Sequence, residues 1–438
     1  MRRFLLLLAF GSSILFPPPL VLGSVPELMP APPTAKETAT DTYFGVTVQD
    51  DYRWLEQLED SKVKAWAMAQ NARAQSFLAA LPLRAELTAQ IKKLVSSTPP
   101  SFGDLHIVNG NLFALKFDPA KQQRFLVLLD SPDSTKGEKS VCDPNSIDPS
   151  GTTAIDWFVP SPDGALVAVS LSKNGSEDGD LAFFDAATGK QLPDLIKHVQ
   201  YPTGGGSAAW TKDGKGIFYT RYPREGERPP ADAHFFQQVY FHQIGAPESE
   251  DVYAIGKEFP KIAEVDLQSN IQSDYVVATV ANGDGGDFEH FVCGPDKSWK
   301  QITKFEDKVK KGALAFGPDF YAISLEGAPE GKIVKFSLAA PEIKPESVIS
   351  KTAGVVEAIA LTGDKILIHT LEGGPSGLYA SALDGSNLHA LPIPPISSVS
   401  ELATGQDLVL VHIGSYTELP KWFKYVASSN QLTTTALN

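Results

Sequence analysis

Cysteine is nearly absent from this chain of 438 residues, which contains only Cys142 and Cys293. Two thiols that lie 151 positions apart do not make a metal site, because such sites take several closely spaced ligands. They leave two interpretations open, a single disulfide or two buried apolar side chains. The sequence therefore predicts no metal and no cofactor.

Positive charge is also in deficit. The chain has 38 Lys and Arg residues against 52 Asp and Glu residues, and its formal net charge is -14. A nucleic acid or an anionic membrane surface requires clustered Lys and Arg side chains, and the sequence contains no such cluster. Nucleic acid and membrane are therefore excluded as partners of the mature protein.

Long apolar runs are missing except near the N-terminus, where two arginines precede an apolar stretch at residues 4–16. That stretch is too short to span a bilayer, and small residues before Ser24 offer a site for a signal peptidase. The sequence predicts a signal peptide at residues 1–23, with a non-cleaved anchor as the alternative. A flexible leader rich in Pro, Ala and Thr follows at residues 24–40. We therefore expect export to a periplasm or secretion.

A turn-and-strand repeat fills most of the remaining chain. Seven polar residues stand at the heads of short apolar strands, at intervals of 43 to 61 residues. They are Asn111, Asp163, Asp213, Asp274, Asp319, Asp364 and Asp407. This period is typical of four short strands, and one four-stranded blade cannot bury both of its faces alone. The sequence predicts an all-β fold, a seven-bladed β-propeller at residues 96–438, preceded by a short α-helical N-terminal segment.

The N-terminal segment has a helical period. Asp60 is a suitable cap for a first helix, which Pro82 ends. The i, i+4, i+7 spacing of Leu87, Ile91 and Leu94 indicates a second helix. Both helices carry broad apolar faces, so the sequence predicts that another domain covers them.

Specific motifs extend from residue 41 to residue 251. The first are DTYFGVTVQDDYRWLE at residues 41–56 and VKAWAMAQN at residues 63–71. The others are SPDG at 161–164, LPD at 192–194, WTKDGKGIFY at 210–219, QVYFH at 238–242 and SED at 249–251. Together these motifs resemble the prolyl oligopeptidase family of serine peptidases. The later blades match that family mainly in length and strand count.

The resemblance implies a propeller paired with an α/β-hydrolase domain. In that family an N-terminal segment, here residues 41–95, packs on the hydrolase domain, whose C-terminal part carries the catalytic Ser, Asp and His. A nucleophile elbow requires Gly-x-Ser-x-Gly at a strand-to-helix turn. The nearest candidates, GGSAA at 205–209 and GPSGL at 374–378, lack the closing glycine and fall in predicted propeller turns. We therefore expect the C-terminal hydrolase domain to be absent and no residue of this chain to be catalytic.

Three weaker patterns remain. His234 and His242 have an even spacing that predicts one strand face, and a structural role is favoured over metal binding because no third ligand can be placed. Residues 282–289 are acidic and glycine-rich like a calcium loop, but they lack the EF-hand spacing and fall at a predicted hairpin turn. Tyr201 lies where the resemblance places an aromatic side chain that faces the substrate. A packed aromatic at a blade edge is the alternative.

Two functions are consistent with these observations. The first is the N-terminal segment and substrate-gating propeller of an exported prolyl oligopeptidase-like endopeptidase, which cleaves short peptides after proline. Its partners would be proline-containing peptides and a separate α/β-hydrolase chain. The second is a stand-alone exported propeller that binds peptide or protein without catalysis. Helix packing discriminates between them, because docking of a hydrolase requires Trp66 and Phe77 to lie on an exposed face in the isolated chain.

Overall fold

A computed structural model of the chain describes residues 27–427 and 429–437, so the predicted signal peptide at residues 1–23 lies outside the described residues. The chain divides into two compact units, with the boundary between Thr98 and Pro99. No helix in the described part of the chain is long and apolar enough to cross a membrane.

The first unit contains a β-hairpin and two helices. Its elements are β1 (Ala39–Tyr43), β2 (Val46–Asp50), a 3-10 turn (Arg53–Glu56), α1 (Ser61–Ala79) and α2 (Arg84–Ser96). Arg53 joins the 3-10 turn to the hairpin through an ion pair with Asp41, at 2.5 Å. Trp54 Nε1 donates a hydrogen bond to the carbonyl of Ala35 at 2.9 Å. The motif at residues 41–56 therefore holds the hairpin, the turn and the preceding chain together.

Both helices of the first unit agree with the sequence pattern. Asp60 caps α1 by accepting a hydrogen bond from the backbone N–H of Lys62 at 2.8 Å. Within the described residues, Val63 is the buried side chain of α1, and α2 buries none. Trp66 and Phe77 are half-buried, and the Trp66 indole donates to Thr34 Oγ1 at 2.9 Å. The predicted exposure of these two aromatics is therefore only partial.

The second unit consists of seven four-stranded antiparallel sheets, and in each sheet the four strands follow one another in sequence. Blade 1 contains β3 (Ser101–Val108), β4 (Asn111–Phe117), β5 (Phe125–Leu129) and β6 (Lys139–Cys142), followed by the short helix α3 (Pro144–Ile147). Blade 2 contains β7 (Thr153–Pro160), β8 (Leu166–Lys173), β9 (Gly179–Asp185) and β10 (Gln191–Gln200). Blade 3 contains β11 (Ala208–Trp210), β12 (Gly216–Arg221), β13 (Gln238–Gln243) and β14 (Val252–Ile255).

The remaining four blades repeat this order. Blade 4 contains β15 (Ala263–Ser269), β16 (Val276–Asn282), β17 (Phe288–Cys293) and β18 (Trp299–Thr303). Blade 5 contains β19 (Val309–Leu314), β20 (Asp319–Ser324), β21 (Lys332–Ser337) and β22 (Pro345–Ile349). Blade 6 contains β23 (Val355–Leu361), β24 (Lys365–Leu371), β25 (Ser376–Ala382) and β26 (His389–Ala390). Blade 7 contains β27 (Ser398–Thr404), β28 (Val409–Gly414), β29 (Lys421–Val426) and β30 (Gln431–Thr434).

These sheets confirm the predicted seven-bladed propeller. Each of the seven repeated polar residues lies in the turn before the second strand of a blade or at its first position. The apolar run that follows is this second strand, and it is buried because it packs between neighbouring blades. We call the end of the propeller that carries these seven turns the turn end. The other end, where the first strand of each blade begins, is called the opposite end.

The core is a ring of seven apolar clusters, one at each junction between neighbouring blades. Buried tryptophans reinforce two of the junctions. Trp210 donates to the carbonyl of Val159 at 3.0 Å between blades 3 and 2. Trp422 donates to the carbonyl of Phe102 at 2.8 Å between blades 7 and 1. Because each sheet uses only consecutive strands, side-chain packing and such hydrogen bonds close the ring.

Candidate functional site

The first strands of the blades surround a central channel. One cavity of about 560 Å³ is lined by residues of all seven blades, among them Asp104, Trp157, Ser207, Asp266, Gly312, Ala360 and Thr404. An adjoining cavity of about 470 Å³ lies at the turn end and shares His106, Asn270 and Phe316 with the first. A channel of this kind is a concave surface that the propeller offers to a ligand.

Bulges in the first strands alter the lining of this channel. The pairing of first and second strands is irregular in blades 1, 2, 5, 6 and 7. The residues left out of register include Asp104, Asp156, Lys311, Glu357 and Ser400. A bulge turns a side chain away from the regular alternation of a strand. Sequence reasoning missed these residues because the repeat is marked by the second strand of each blade, whereas they lie on the first.

Tyr201 lies at the opposite end, in the segment that leads into the first strand of blade 3. Its ring stacks on the imidazole of His234, with centroids 3.9 Å apart and an interplanar angle of 10°. Next to this stack, His198 Nδ1 lies 2.6 Å from Asp178 Oδ1. The ring centroids of His198 and His234 are 6.2 Å apart. Burial, followed by the charge of His198, lowers the pKa of His234. Tyr201 is half-buried, so part of its ring remains accessible.

The prediction that His234 and His242 share a strand face is wrong. β13 begins at Gln238, and His234 lies in the loop before it. Phe236 has a left-handed backbone conformation with φ of 59°, which turns the chain between the two histidines. The stack with Tyr201 holds His234 outside the sheet.

Four of the sequence motifs converge on His242. The imidazole is buried, and its Nδ1 lies 2.6 Å from Oδ1 of Asp251, the last residue of the SED motif. Its Nε2 lies 3.5 Å from Asp194 Oδ2, in the LPD motif of blade 2. Tyr219 donates its hydroxyl to Asp251 Oδ2 at 2.7 Å. Burial by itself lowers the pKa of His242, but the hydrogen bond and charge of Asp251, with those of Asp194, outweigh burial and leave the pKa raised.

The two serines nearest to a nucleophile motif both connect neighbouring blades. Ser207 donates to the carbonyl of Val265 at 2.7 Å and accepts from the N–H of Leu267 at 3.1 Å. Ser376 Oγ lies 2.9 Å from His369 Nε2 and accepts from the N–H of Val399 at 3.0 Å. Neither serine lies at a strand-to-helix turn, which a nucleophile elbow requires. Both serines therefore link neighbouring blades through hydrogen bonds.

The remaining candidate ligands have structural environments. Residues 282–289 form the turn of the β16–β17 hairpin, and the Lys310 ammonium donates to the carbonyl of Gly286. Cys142 and Cys293 are both buried and are not bonded to each other. Within residues 27–427 and 429–437, no group of three or more His, Cys, Asp or Glu side chains is arranged to hold a metal ion.

Comparisons with known proteins give a consistent match. The family described as prolyl oligopeptidase, N-terminal beta-propeller domain, matches residues 32–437. A prolyl endopeptidase of Elizabethkingia meningoseptica is 30% identical over 338 residues, which are 74% of this chain and 45% of the relative. A dual function macrocyclase-peptidase of Amanita bisporigera is 26% identical over 361 residues, which are 72% of this chain and 46% of the relative. The chain thus spans about half the length of these curated relatives.

Solved structures show the same fold. A structure from a study of two prolyl endopeptidases superimposes with a TM-score of 0.80 at 23% identity and covers 92% of this chain and 59% of its own. Prolyl oligopeptidase B of Galerina marginata, bound to a 25mer macrocyclization substrate, gives a TM-score of 0.75 at 18% identity, covering 93% and 60%. In both comparisons the aligned part is only a portion of the larger protein.

Proposed function

Because this chain belongs to the prolyl oligopeptidase family, we propose that it is the N-terminal segment and substrate-gating propeller of a prolyl oligopeptidase-like serine endopeptidase. In this role the propeller covers an active site and admits short proline-containing peptides through its channel. The chain is not catalytic by itself. Acyl transfer to a serine, with histidine as base and aspartate orienting it, belongs to the hydrolase domain.

One observation carries this proposal. The family match runs through both units of the chain, from residue 32 to residue 437, and coincides with a channel that all seven blades line. The serines nearest to the nucleophile motif are engaged between blades. The geometry therefore supports a filter that acts on peptides, in a chain that depends on a hydrolase for the reaction.

The second helix of the first unit supplies a docking surface for that hydrolase. Leu87, Ile91 and Leu94 share one face of α2, and their side chains are 51%, 59% and 68% exposed. Exposed apolar residues in a contiguous stripe indicate an interaction surface. The occupant in this proposal is an α/β-hydrolase domain, supplied by a separate chain or by a continuation of this one.

A complementation assay tests the proposal. The purified chain is mixed with the part of the Elizabethkingia meningoseptica prolyl endopeptidase that lies outside the matched region, and hydrolysis of a chromogenic Gly-Pro substrate is followed. We expect no hydrolysis by the chain alone, complex formation on mixing, and exclusion of denatured casein relative to the short substrate. Hydrolysis by the chain alone would overturn the claim that it lacks a nucleophile.

Matched variants locate the docking surface. Ile91→Asp places a charge on the apolar stripe of α2, whereas Ala89→Asp places the same charge on the opposite side of the same helix. We expect the first variant to weaken complex formation by about tenfold and the second to leave it unchanged. Equal effects of the two variants would argue against this surface.

Tyr201 is proposed as a peptide-contacting residue at the opposite end. Its partly accessible ring, stacked on His234, offers an aromatic face on which a proline ring can pack. Tyr201→Phe should retain binding of a labelled Gly-Pro peptide, whereas Tyr201→Ala should weaken it by about fivefold or more. Unchanged binding in Tyr201→Ala would assign the ring to packing alone.

The alternative function is a stand-alone propeller that binds peptide or protein without catalysis. The continuous channel favours this alternative equally, because it does not depend on a hydrolase. Peptide binding by the chain, together with failure of the hydrolase fragment to form a complex, would select it over the first function.

Export is proposed as well, on the basis of the apolar stretch at residues 4–16 and the small residues before Ser24. Expression with the full N-terminus, followed by cell fractionation and intact mass measurement, tests it. We expect a periplasmic or secreted product that begins at Ser24. A cytoplasmic product that retains residues 1–23 would contradict the proposal.

A further inference from the structure

The first strands of the seven blades carry a strongly unequal charge. Together they contain six carboxylates and two lysines. The carboxylates are Asp104, Asp156, Glu264, Asp266, Glu357 and Glu401, and the lysines are Lys310 and Lys311. Both lysines come from blade 5, so six of the seven first strands offer no cation to the channel.

These carboxylates are not neutralised by the protein. Within the part of the chain that the structure describes, none of the six forms an ion pair with Lys or Arg. Asp104 lies 3.4 Å from the imidazole of His106, and Asp156 accepts hydrogen bonds from Ser170 and Ser172. The Lys310 ammonium donates a hydrogen bond to the carbonyl of Gly286. Carboxylates elsewhere on the propeller do form such pairs, for example Glu138 with Lys116 and Glu227 with Arg221. The first strands therefore keep an excess of carboxylates that are not paired with Lys or Arg.

Asp266 provides a second observation that a carboxylate of the first strands is available to a ligand in the channel. Asp266 is one of the residues that line the central cavity. Among the described residues, a single side-chain hydrogen bond reaches the Asp266 carboxylate, from Gln268 Nε2 of the same strand at 3.2 Å. Burial raises the pKa of Asp266, whereas the hydrogen bond from Gln268 and the charge of Lys311 oppose this shift. A partly exposed carboxylate with so few partners is free to interact with a cation that enters the cavity.

The bulges concentrate further charge at the opposite end. Asp104 and Glu357 leave the regular pairing of their strands there, and Glu401 follows the bulge of blade 7. Glu401 Oε2 also accepts a hydrogen bond from the N–H of Asp104 at 3.1 Å, which brings the carboxylates of blades 7 and 1 together. A cleft that is lined by one sign of charge and has low-dielectric walls focuses the field along its axis.

We infer that the channel selects peptides by charge, favouring those that carry a free amino group, Lys or Arg and disfavouring acidic ones. This inference rests on the proposed peptide-binding function and names the substrate class of the same channel. The selectivity comes from long-range attraction into the cavity, so it must weaken as salt screens it.

Three labelled hexapeptides with a common Gly-Pro core test the inference. They carry Lys, Gln or Glu at the other positions, and their binding to the purified chain is measured by fluorescence anisotropy at about 0.1 M and about 1 M salt. We expect the Lys peptide to bind about tenfold more tightly than the Glu peptide at the lower salt, and less than about threefold more tightly at the higher salt.

Two double variants localise the effect, because an acidic protein attracts cations over its whole surface. Glu357→Gln with Glu401→Gln removes two first-strand carboxylates and keeps the hydrogen-bond acceptor for Asp104. Glu342→Gln with Glu346→Gln makes the same charge change at exposed positions near the outermost strand of blade 5. The first pair should lower the Lys-to-Glu ratio by about threefold, and the second should leave it unchanged.

The outcomes separate the two levels of the proposal. Equal binding of the three peptides, or equal effects of the two double variants, overturns charge selection by the channel while peptide binding stands. Failure of all three peptides to bind overturns the peptide-binding function, and the charge selection with it. Thermal melts of both variants, expected to match that of the parent chain, show that the comparison is made on folded protein.

Discussion

His242 and Asp251 form a buried imidazole–carboxylate pair at the junction of blades 2 and 3, with Nδ1 and Oδ1 2.6 Å apart. Their side chains are 1% and 4% exposed. The second carboxylate at this imidazole, Asp194, comes from the neighbouring blade. The pair therefore couples the fold of one blade to the position of the next.

Removal of one charge from this pair should be costly. Asp251→Asn keeps the shape of the side chain but takes away the charge that stabilises the imidazolium, so we expect a loss of about 3 kcal/mol in the free energy of unfolding. Asp178→Asn is the control, because its partner His198 is paired with a carboxylate that is 42% exposed, and it should cost less than about 1 kcal/mol. Urea denaturation measures both, and equal losses would show that the buried pair has no special role.

The same pair predicts a dependence of stability on pH. The pKa of His242 is raised in the folded chain. Its contribution to the free energy of unfolding is therefore complete below the ordinary histidine pKa of about 6.5, and it is lost as the pH rises through the pKa of the folded state. The difference in free energy of unfolding between the parent chain and His242→Gln should therefore be larger at about pH 6 than at about pH 9. A difference that grows with pH would contradict a raised pKa for His242.

For His290 we expect the opposite dependence of stability on pH. Burial lowers its pKa to about 4, and its Nδ1 lies 2.7 Å from Thr303 Oγ1. The folded chain keeps the imidazole neutral while the unfolded chain protonates it, so stability falls as the pH drops from about 6.5 to about 4. The full loss is about 3 kcal/mol. His290→Gln should flatten this part of the pH profile, and an unchanged slope would exclude His290 as its source.

Gly312 should not tolerate a side chain. A Cβ at this position would lie 2.2 Å from the carbonyl oxygen of Tyr321 and 2.6 Å from Phe320 Cζ. Gly312→Ala is therefore expected to lower the free energy of unfolding by about 3 kcal/mol. Gly214→Ala is the control, because no atom lies within 4 Å of its Cβ and only its φ of +66° opposes substitution. That change should cost about 1 kcal/mol, and similar melting temperatures for the two variants would contradict the prediction.

The two cysteines should be unreactive in the folded chain. Burial raises the pKa of Cys142 to about 12 and that of Cys293 to about 11. A thiol must ionise and be accessible to react, so a thiol reagent at neutral pH should label neither in the native state and both after denaturation. Absence of labelling in denaturant would instead reveal the disulfide that the sequence left open.

The number of blades and the position of the second strand in each follow from local sequence patterns. A polar turn followed by an apolar run is a local signal, because the second strand is buried on both faces and its turn needs polar residues. The cap at Asp60 and the helical spacing of Leu87, Ile91 and Leu94 are local in the same way, and the structure contains both helices. The family motifs were local blocks as well.

Which of these blocks come into contact depends on the packing of the blades. The LPD, QVYFH and SED motifs lie far apart in sequence, yet blade packing brings Asp194, His242 and Asp251 into one buried cluster. His234, which sequence spacing placed on the strand of His242, is held in a loop by its stack with Tyr201. The channel carboxylates gain their common environment because seven first strands are closed into a ring. A periodic sequence pattern indicates which residues are buried within a blade. Closure of the ring determines which blades are neighbours, and therefore which charges face each other.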